Sequence, residues 1–401
     1  MYHAAPRGGT MNIIKDNLRQ YGLLIALVGI AVFFQVRTGG VIFLPNNITN
    51  LILQNSYILI LAIGMTLVIV TGRIDLSVGS VVAFSGALSG VFIVDMGLPV
   101  WIAILICLVA GAAIGAFHGF LIAYINIPFF VVTLAGMLGF RGLTMIILDG
   151  RMIGPFPAEF QMMAAGFVPD FFGGSSFNIT AVAVCAFLCV LFIVSALRRR
   201  SIAKKYGVAA LPIPFLIASI IIVTAAIGLF GYWFGAANGI PNIVVLLGIL
   251  IIIYTFLTTK TMMGRHIYAC GSNAKASELS GIKTKQVIFW VYVSMGVLAA
   301  LAGLVFAARL NAAMPRAGTG FELQAIAAAF IGGASPSGGV GKVTGAIIGA
   351  MVVGIITNGM SILGISIHEQ QMVTGMVLLA AVIFDVVSKN KTIKLKNPFA
   401  R

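Results

Sequence analysis

The sequence predicts an all-α polytopic membrane protein with about twelve transmembrane helices, some of them broken or half-length. Of its 401 residues, 60% are hydrophobic and only 9% are charged, and a bilayer core selects for long apolar runs with few charges. A twelfth run, Leu323–Ile331, is short and precedes the Gly-rich sequence GGASPSGGVG, as expected of a half-length span. The eleven longer runs, each about 16 to 25 residues long, cover residues 21–37, 56–71, 79–95, 100–124, 128–148, 178–197, 212–234, 241–257, 286–308, 340–363 and 369–387.

The distribution of Lys and Arg predicts which loops face the cytoplasm, because cytoplasmic loops of membrane proteins are enriched in these residues. With the N-terminus inside and twelve crossings, the cytoplasmic segments contain 20 of the 25 Lys and Arg residues. Both termini are therefore expected in the cytoplasm. Topology and anionic lipid, rather than nucleic acid, explain the net charge of +15.

The polar segments divide the chain into one membrane domain and its flanks. We expect a single transmembrane domain at 21–387, a cytoplasmic N-terminus at 1–20 and a basic cytoplasmic tail at 388–401. The largest external segment is 149–177, which contains three Pro residues and a Gly-Gly-Ser-Ser turn.

The segment 258–285 is a polar stretch between two apolar spans. It carries five Lys or Arg residues and one acid, Glu278. Ser272 or Asn273 can cap a short helix that runs through Ala274–Ser280 and ends at Gly281. A capped, charged helix in this position is expected to lie in the cytoplasm and to contact a soluble partner.

A second polar break, Thr71–Ser80 (TGRIDLSVGS), joins two spans with almost no loop. Burying Asp75 in hydrocarbon would cost about 2.5–3.5 kcal/mol on insertion scales unless the carboxylate were paired or hydrated. Asp75 and Ser77 therefore either line the translocation path or a gate, or Asp75 simply caps the next helix at the membrane interface. Asn358 is a further path candidate. The Gly-rich break 332–345 corresponds to 71–80 in the second half, as in internally duplicated transporters.

The Gly-rich break nearly matches a nucleotide-binding P-loop. Gly341-Lys342 resembles the GK of GxxxxGK[ST], but Pro336 occupies the first Gly position and Val343 replaces the Ser or Thr that would bind magnesium. No cofactor or metal is therefore expected in this chain, and any ATP and Mg²⁺ would be bound by another chain. No nucleophile–base or paired-carboxylate pattern indicates an enzyme.

Several stretches, taken in order, resemble one family. Over nearly its whole length the chain is similar to the membrane subunit of bacterial ABC monosaccharide importers, the ribose, xylose, arabinose and galactose permeases of carbohydrate uptake transporter family 2. The matching stretches are ILAIGMTLVIVTGRIDLSVGS (60–80), VVTLAGMLGFRGLTMIILDG (131–150), GRHIYACGSNAKASELSGI (264–282), 302–350, TNGMSILGI (357–365) and QMVTGMVLLAAVIFD (371–385).

The resemblance implies a homodimer with the sugar path at its interface, in the bacterial inner membrane. It implies a periplasmic sugar-binding protein, for which 149–177 is a periplasmic loop, and a cytoplasmic ATPase with two fused nucleotide-binding halves. IDLSVG at 74–79 matches a family segment, which supports a path-lining or gating role. Gly271–Ile282 matches the family's coupling loop, so the expected ATPase contacts are Gly271, Asn273, Ala276, Glu278, Leu279, Ser280 and Gly281.

One departure from the ribose-type pattern is an extra pair of spans at 178–234, joined by RRRSIAKKYG. Xylose-type and multiple-sugar permeases share this insertion, which favours xylose, glucose, galactose or arabinose over ribose. Two alternatives remain: an ion-coupled secondary sugar transporter and an ABC permease for branched-chain amino acids. The capped loop and the lack of a chain of acids within the spans argue against the first.

Overall fold

A computed structural model describes the backbone of residues 9–173, 177–207 and 212–396. Side chains are described for residues 22–380 outside the same gaps, and for 382 and 383. Part of the predicted N-terminal segment, residues 1–8, and the last five residues of the predicted tail lie outside the described residues.

The described chain is built from helices, and its β-type pairing is limited to two isolated bridges, Ile153–Ala313 and Phe167–Pro241. The prediction of an all-α fold is confirmed. The helices are α1 (Gly9–Arg37), α2 (Pro45–Val70), α3 (Val78–Gly90, followed by a π-helical turn Val91–Asp95), α4 (Val100–Ala123), α5 (Phe129–Leu148), α6 (Ala158–Ala165), α7 (Ile179–Lys205), α8 (Ile213–Ala236), α9 (Asn242–Lys260), α10 (Met262–Ser272), α11 (Ala274–Leu279), α12 (Thr284–Leu310), α13 (Phe321–Ile331), α14 (Val343–Ile362) and α15 (Ile367–Lys396).

Within the described residues, nine helices are long and apolar enough to cross a membrane: α2, α3 with its π-helical turn, α4, α5, α7, α8, α9, α12 and α14. Gly22–Arg37 of α1 and the whole of α13 are shorter apolar helices. The last predicted run, 369–387, lies in α15. With 11 residues, α13 has about half the length that a full crossing needs.

Proline marks the start of several helices. Pro45 is the first residue of α2, where its missing N–H costs no helical hydrogen bond and its fixed φ suits the first turn. At the other end, Asp149 after α5 and Asn311 after α12 adopt left-handed conformations, which short polar side chains tolerate better than most. Proline immediately precedes α4, α5, α8 and α9 as Pro99, Pro128, Pro212 and Pro241.

The core surrounds α2 and α12, which are the most enclosed of the long helices together with α3 and α14. Between α4 and α12 the backbones come close because small residues face each other. A Cβ on Gly111 would collide with the Gly296 carbonyl, and a Cβ on Gly296 would collide with that of Gly111. Such small-residue contacts are the usual basis of helix association in membranes, where no hydrophobic force acts between helices.

The helix pair α7–α8 lies at the edge of the bundle. Only 17% of the apolar window of α7 and 6% of that of α8 are buried, so most of their side chains are left for lipid. The two helices pack chiefly on each other, and α8 also contacts α2. There Trp233 stacks on Phe43 with ring centroids 6.0 Å apart.

Two non-helical segments meet where α3 and α13 begin. The first, 71–77, connects α2 to α3, and the second, 312–320, connects α12 to α13. Gly79 and Gly318 touch backbone to backbone, because a Cβ on either would collide with the carbonyl of the other. The crossing of these two breaks positions the polar residues described below.

We expect Gly318→Ala to destabilise the fold by about 2–5 kcal/mol. Its φ is +71°, which costs an L-residue about 1–2 kcal/mol, and the new methyl would displace the Gly79 backbone for about 1–3 kcal/mol more. Gly320→Ala is the matched control, since its φ is +79° but no atom lies within 4 Å of the added Cβ. Unfolding in mixed detergent micelles measures both, and equal losses would contradict the predicted crossing contact.

Candidate functional site

The predicted short helix within 258–285 is present as α11, Ala274–Leu279. Its cap is Asn273, whose Oδ1 accepts the Ala276 N–H at 2.9 Å. Ser272, the other candidate, instead donates its hydroxyl to the Tyr268 carbonyl at 2.9 Å. Gly281 follows with φ +84°, the left-handed conformation that ends many helices.

The helix α11 projects away from the bundle. Asn273, Ala276, Glu278, Ser280 and Gly281 are exposed, and Gly271 is half-buried. Leu279 is 81% exposed, although it lies outside every candidate span. Together these residues form a surface that is open to a partner chain.

Gly271, three residues before α11, contacts the end of α2 and the Gly-rich segment 332–342. A Cβ on Gly271 would collide with the Val70 carbonyl at the end of α2 and approach Gly339 N to 2.7 Å. Gly339 N itself donates to the Val70 carbonyl at 2.8 Å, and Gly338 lies against Gly72. Gly271, near the C-terminal end of α10, therefore lies beside both 71–77 and 332–342.

A helix that the sequence analysis missed, α10 (Met262–Ser272), connects this contact to α9. Thr261 caps it, accepting the Gly264 N–H at 3.1 Å. The Tyr268 hydroxyl donates to the Gly341 carbonyl at 2.6 Å, and burial raises the pKa of this phenol. Beside it lies a cavity of about 320 Å³, lined by α9, α10 and the Gly-rich loop, including Thr258 and Lys342.

Asp75 and Ser77, predicted in the path or a gate, lie inside the bundle and are 3% and 1% exposed. Asp75 Oδ1 accepts the Ser77 N–H at 2.9 Å and the Ser77 hydroxyl at 2.6 Å. These bonds form an Asx turn just before α3, whose N-cap residue, Ser77, makes no side-chain capping hydrogen bond. The Ser77 hydroxyl also lies 3.4 Å from His118 Nδ1 on α4, and Gly136 leaves space for that ring. The path role stays a prediction.

Asn358, the third path candidate, is 6% exposed. Its side chain exchanges hydrogen bonds with that of Asn47 at 3.1 and 3.4 Å, and Asn47 also donates to the Ile42 carbonyl at 3.0 Å. The pair joins α14 to the first turn of α2. The path role of Asn358 also stays a prediction.

A second group of polar residues lies at the crossing of the two breaks. On α5, Arg141 Nη1 donates to the Ala317 carbonyl at 3.2 Å and to the Thr319 hydroxyl at 2.7 Å. No local pattern in the sequence indicates that these side chains meet, because Arg141 and Thr319 are 178 residues apart. In the described residues, no group of three His, Cys, Asp or Glu side chains is placed to hold a metal.

A bundle of long apolar helices with an exposed, capped helix outside the candidate spans is compatible with a transport permease. The family described as branched-chain amino acid transport system / permease component matches residues 47–382. The xylose transport system permease protein XylH of Escherichia coli K12 is 35% identical over 97% of both chains.

Two further relatives are similar along most of their length. The xylose transport system permease protein XylH of Haemophilus influenzae Rd is 39% identical over 94% of this chain and 98% of its own. The ribose import permease protein RbsC of E. coli K12 is 34% identical over 92% of this chain and 94% of its own. No solved structure gave a significant match.

The chain belongs to this family of ABC transport permeases, and it is a multi-pass membrane protein with bacterial relatives. Permeases of this family have no ATPase activity of their own. The resemblance inferred from the sequence motifs is therefore confirmed at the level of the family and of its sugar-permease homologues.

The Asn273 cap is expected to keep α11 folded. Asn273→Ala removes the acceptor for the Ala276 N–H and should cost about 1 kcal/mol of local stability, so exchange of the amides at 276–279 should accelerate about fivefold. Asn273→Asp is the matched control, because Asp caps equally well. Hydrogen exchange by mass spectrometry reads both variants, and unchanged exchange in Asn273→Ala would show that the cap is dispensable.

Proposed function

We propose that this chain is the membrane-spanning subunit of an ATP-driven importer that carries monosaccharides such as xylose, glucose, galactose or arabinose into the cytoplasm. The observation that carries the proposal is the exposed helix α11, which follows directly after the contact of Gly271 with Val70 and Gly339, in a chain homologous over most of its length to xylose and ribose permeases. The extra helix pair 178–234 supports a xylose-type sugar over ribose.

The partners follow from this proposal. A second copy of the chain completes the translocation path, and a periplasmic sugar-binding protein delivers the sugar. A cytoplasmic ATPase with two fused nucleotide-binding halves, which also binds ATP and Mg²⁺, contacts the coupling loop 258–285. The contacts fall on Gly271, Asn273, Ala276, Glu278, Leu279, Ser280 and Gly281, of which all but Gly271 are exposed.

In the proposed mechanism, closure of the ATPase halves moves α11. Gly271 transfers that movement to Val70 at the end of α2 and to Gly339, because the three are in backbone contact. The cavity beside Tyr268 leaves room for the Gly-rich loop to shift. Asp75 and Ser77 then act at the gate, since they terminate the break that Val70 begins.

Asn358 enters the same scheme through its amide pair with Asn47, which fixes α14 against the outer end of α2. If α14 and α2 move relative to each other during transport, this amide pair would form in one arrangement of the two helices and separate in the other. We therefore place Asn358 beside the path as a part of the moving contact.

We further propose twelve crossings of the bacterial inner membrane with both termini in the cytoplasm. The segments are 1–20 in the cytoplasm, the membrane domain at 21–387, a periplasmic loop at 149–177 and the tail 388–401 in the cytoplasm. Continuous helices at α1 and α15 and the short helix α13 supply the three crossings beyond the nine long candidate spans. The concentration of Lys and Arg in the segments placed inside supports this orientation.

Anionic lipid is a further proposed partner, at the loop between α7 and α8. With 27 residues, α7 is about 40 Å long, which exceeds the hydrocarbon thickness of about 30 Å. Its last turns carry Arg198, Arg199, Arg200, Lys204 and Lys205, and residues 178–240 contain no Asp or Glu. A basic cluster directly beyond a span attracts anionic headgroups.

A second candidate, import of branched-chain amino acids, is favoured by the description of the matching family. The sugar permeases among the relatives favour the first candidate. Both candidates use the same coupling loop, so transport alone distinguishes them.

Reconstitution tests the proposed function. Proteoliposomes containing this chain, its ATPase and an aldose-binding protein should accumulate a labelled pentose or hexose only with ATP present. A leucine-binding protein in its place should give no uptake, and liposomes without anionic lipid should transport more slowly. Uptake driven by an ion gradient without the ATPase, or uptake of leucine instead of sugar, would overturn the sugar-importer proposal.

Changes in α11 should uncouple the ATPase while leaving membrane insertion intact. Glu278→Lys reverses an exposed charge, and a bulky residue at Gly281 strains a φ of +84°. Each should abolish stimulation of ATP hydrolysis by sugar and binding protein. Asp95→Lys, an exposed charge reversal at the end of the π-helical turn after α3, is the matched control. Normal coupled transport in both α11 variants would refute the assignment of this contact.

A further inference from the structure

The group around Arg141 lies at membrane depth and yet is open on the surface of the single chain. Arg141 is the thirteenth of the 20 residues of α5, so it lies about 18 Å along a helix of about 30 Å. Thr319, its partner, is exposed. A charged residue at such a depth faces a bundle interior or a water-filled cavity, because exposure to lipid is costly.

The group offers hydrogen-bond donors that the protein does not use. Both hydrogen bonds described for Arg141 are made by Nη1, which leaves further guanidinium N–H groups for a ligand. Among the described residues, Glu322 Oε2 is buried without a hydrogen-bond partner, and it lies at the Gly79 backbone because a Cβ there would meet it. A sugar hydroxyl can accept from the Arg141 guanidinium and exchange a hydrogen bond with the exposed Thr319 hydroxyl.

The fold around this group resembles the way that transporters with broken helices bind polar substrates. The N-termini of α3 and α13 meet at the crossing of the breaks, where Gly79 touches Gly318. Half-helix N-termini near the membrane midplane provide N–H groups for oxygen-rich ligands. Ser80, in the first turn of α3, is fully buried, and its hydroxyl has no partner within the described residues.

We propose that Arg141 and Thr319 line the translocation path and contact the hydroxyl groups of the sugar as it passes. The proposal rests on the proposed function, and it names residues of the path that the sequence motifs did not indicate. With few polar groups in reach, the site holds the sugar weakly, which suits passage rather than storage. The site lies beside α5, and Arg141 is far in the sequence from the coupling loop 258–285.

The first test measures water access and does not depend on transport. Thr319→Cys should react with a small hydrophilic thiol reagent in the ATPase-bound complex. Leu191→Cys is the control, because Leu191 is exposed on α7, where lipid excludes the reagent. The unaltered chain gives the background, since Cys107, Cys185 and Cys270 are buried and Cys189 is half-buried. Labelling of Thr319→Cys no faster than Leu191→Cys would overturn the proposal.

The second test measures sugar transported per ATP hydrolysed in proteoliposomes. Arg141→Lys keeps the charge but loses the planar fork, and Thr319→Val removes the hydroxyl at constant size. Each should lower the ratio roughly two- to tenfold, the range that one net hydrogen bond represents, with binding-protein-stimulated ATPase retained. Arg151→Lys, in the external loop and highly exposed, should leave the ratio unchanged.

A wild-type ratio in both Arg141→Lys and Thr319→Val would overturn the proposal. Should Arg141→Lys fail to insert, Thr319→Val alone decides, since its side chain keeps its volume. Absence of ATP-driven sugar uptake by the unaltered chain would instead refute the proposed function, while the labelling of Thr319→Cys would still report whether this face is wet.

Discussion

Non-helical backbone inside a membrane has to find its hydrogen bonds within the protein, and the arrangement of this chain follows from that constraint. At 71–77 the backbone groups find local partners: the Ser77 N–H donates to the Asp75 side chain, and the Gly72 N–H donates to the Ile69 carbonyl. At 312–320 local hydrogen bonds, such as that from Ala317 N to the Met314 carbonyl, are joined by one from a distant residue, Arg141, to the Ala317 carbonyl. Glycine at the crossing lets the two breaks come together without a side chain between them.

The same constraint explains why the coupling contact is made of backbone. Gly271, Val70 and Gly339 form it without a side chain that could change its rotamer. A contact between backbones transmits displacement over short distances, because no flexible group absorbs it. The side chains of α11 are left free for a partner, and Ser277 is the one buried on that helix.

Local features of the sequence predicted local features of the structure. The cap at Asn273, the end at Gly281 and the half-length α13 all depend on residues within one or two turns, so composition and spacing suffice. The contacts of Arg141 with Thr319 and of Gly271 with Val70 join residues far apart in the chain. Nothing in either local sequence encodes its partner, and the failed P-loop at 336–342 gave no sign that it would lie against the end of α2.

The position of the two polar groups separates two tasks in one fold. Asp75 and Ser77 are enclosed and joined to His118, so their hydrogen bonds hold the entry to α3 in place. Arg141 and Thr319 lie across the crossing on an open face, where bonds can form and break with a passing ligand. Gly79 lies in the first turn of α3, directly after Ser77 and Val78, so in the proposed mechanism a movement that begins at α11 and passes through 71–77 would reach the open face by way of Gly318. Energy received at one end of the bundle can thereby alter the contacts offered to the sugar at its centre.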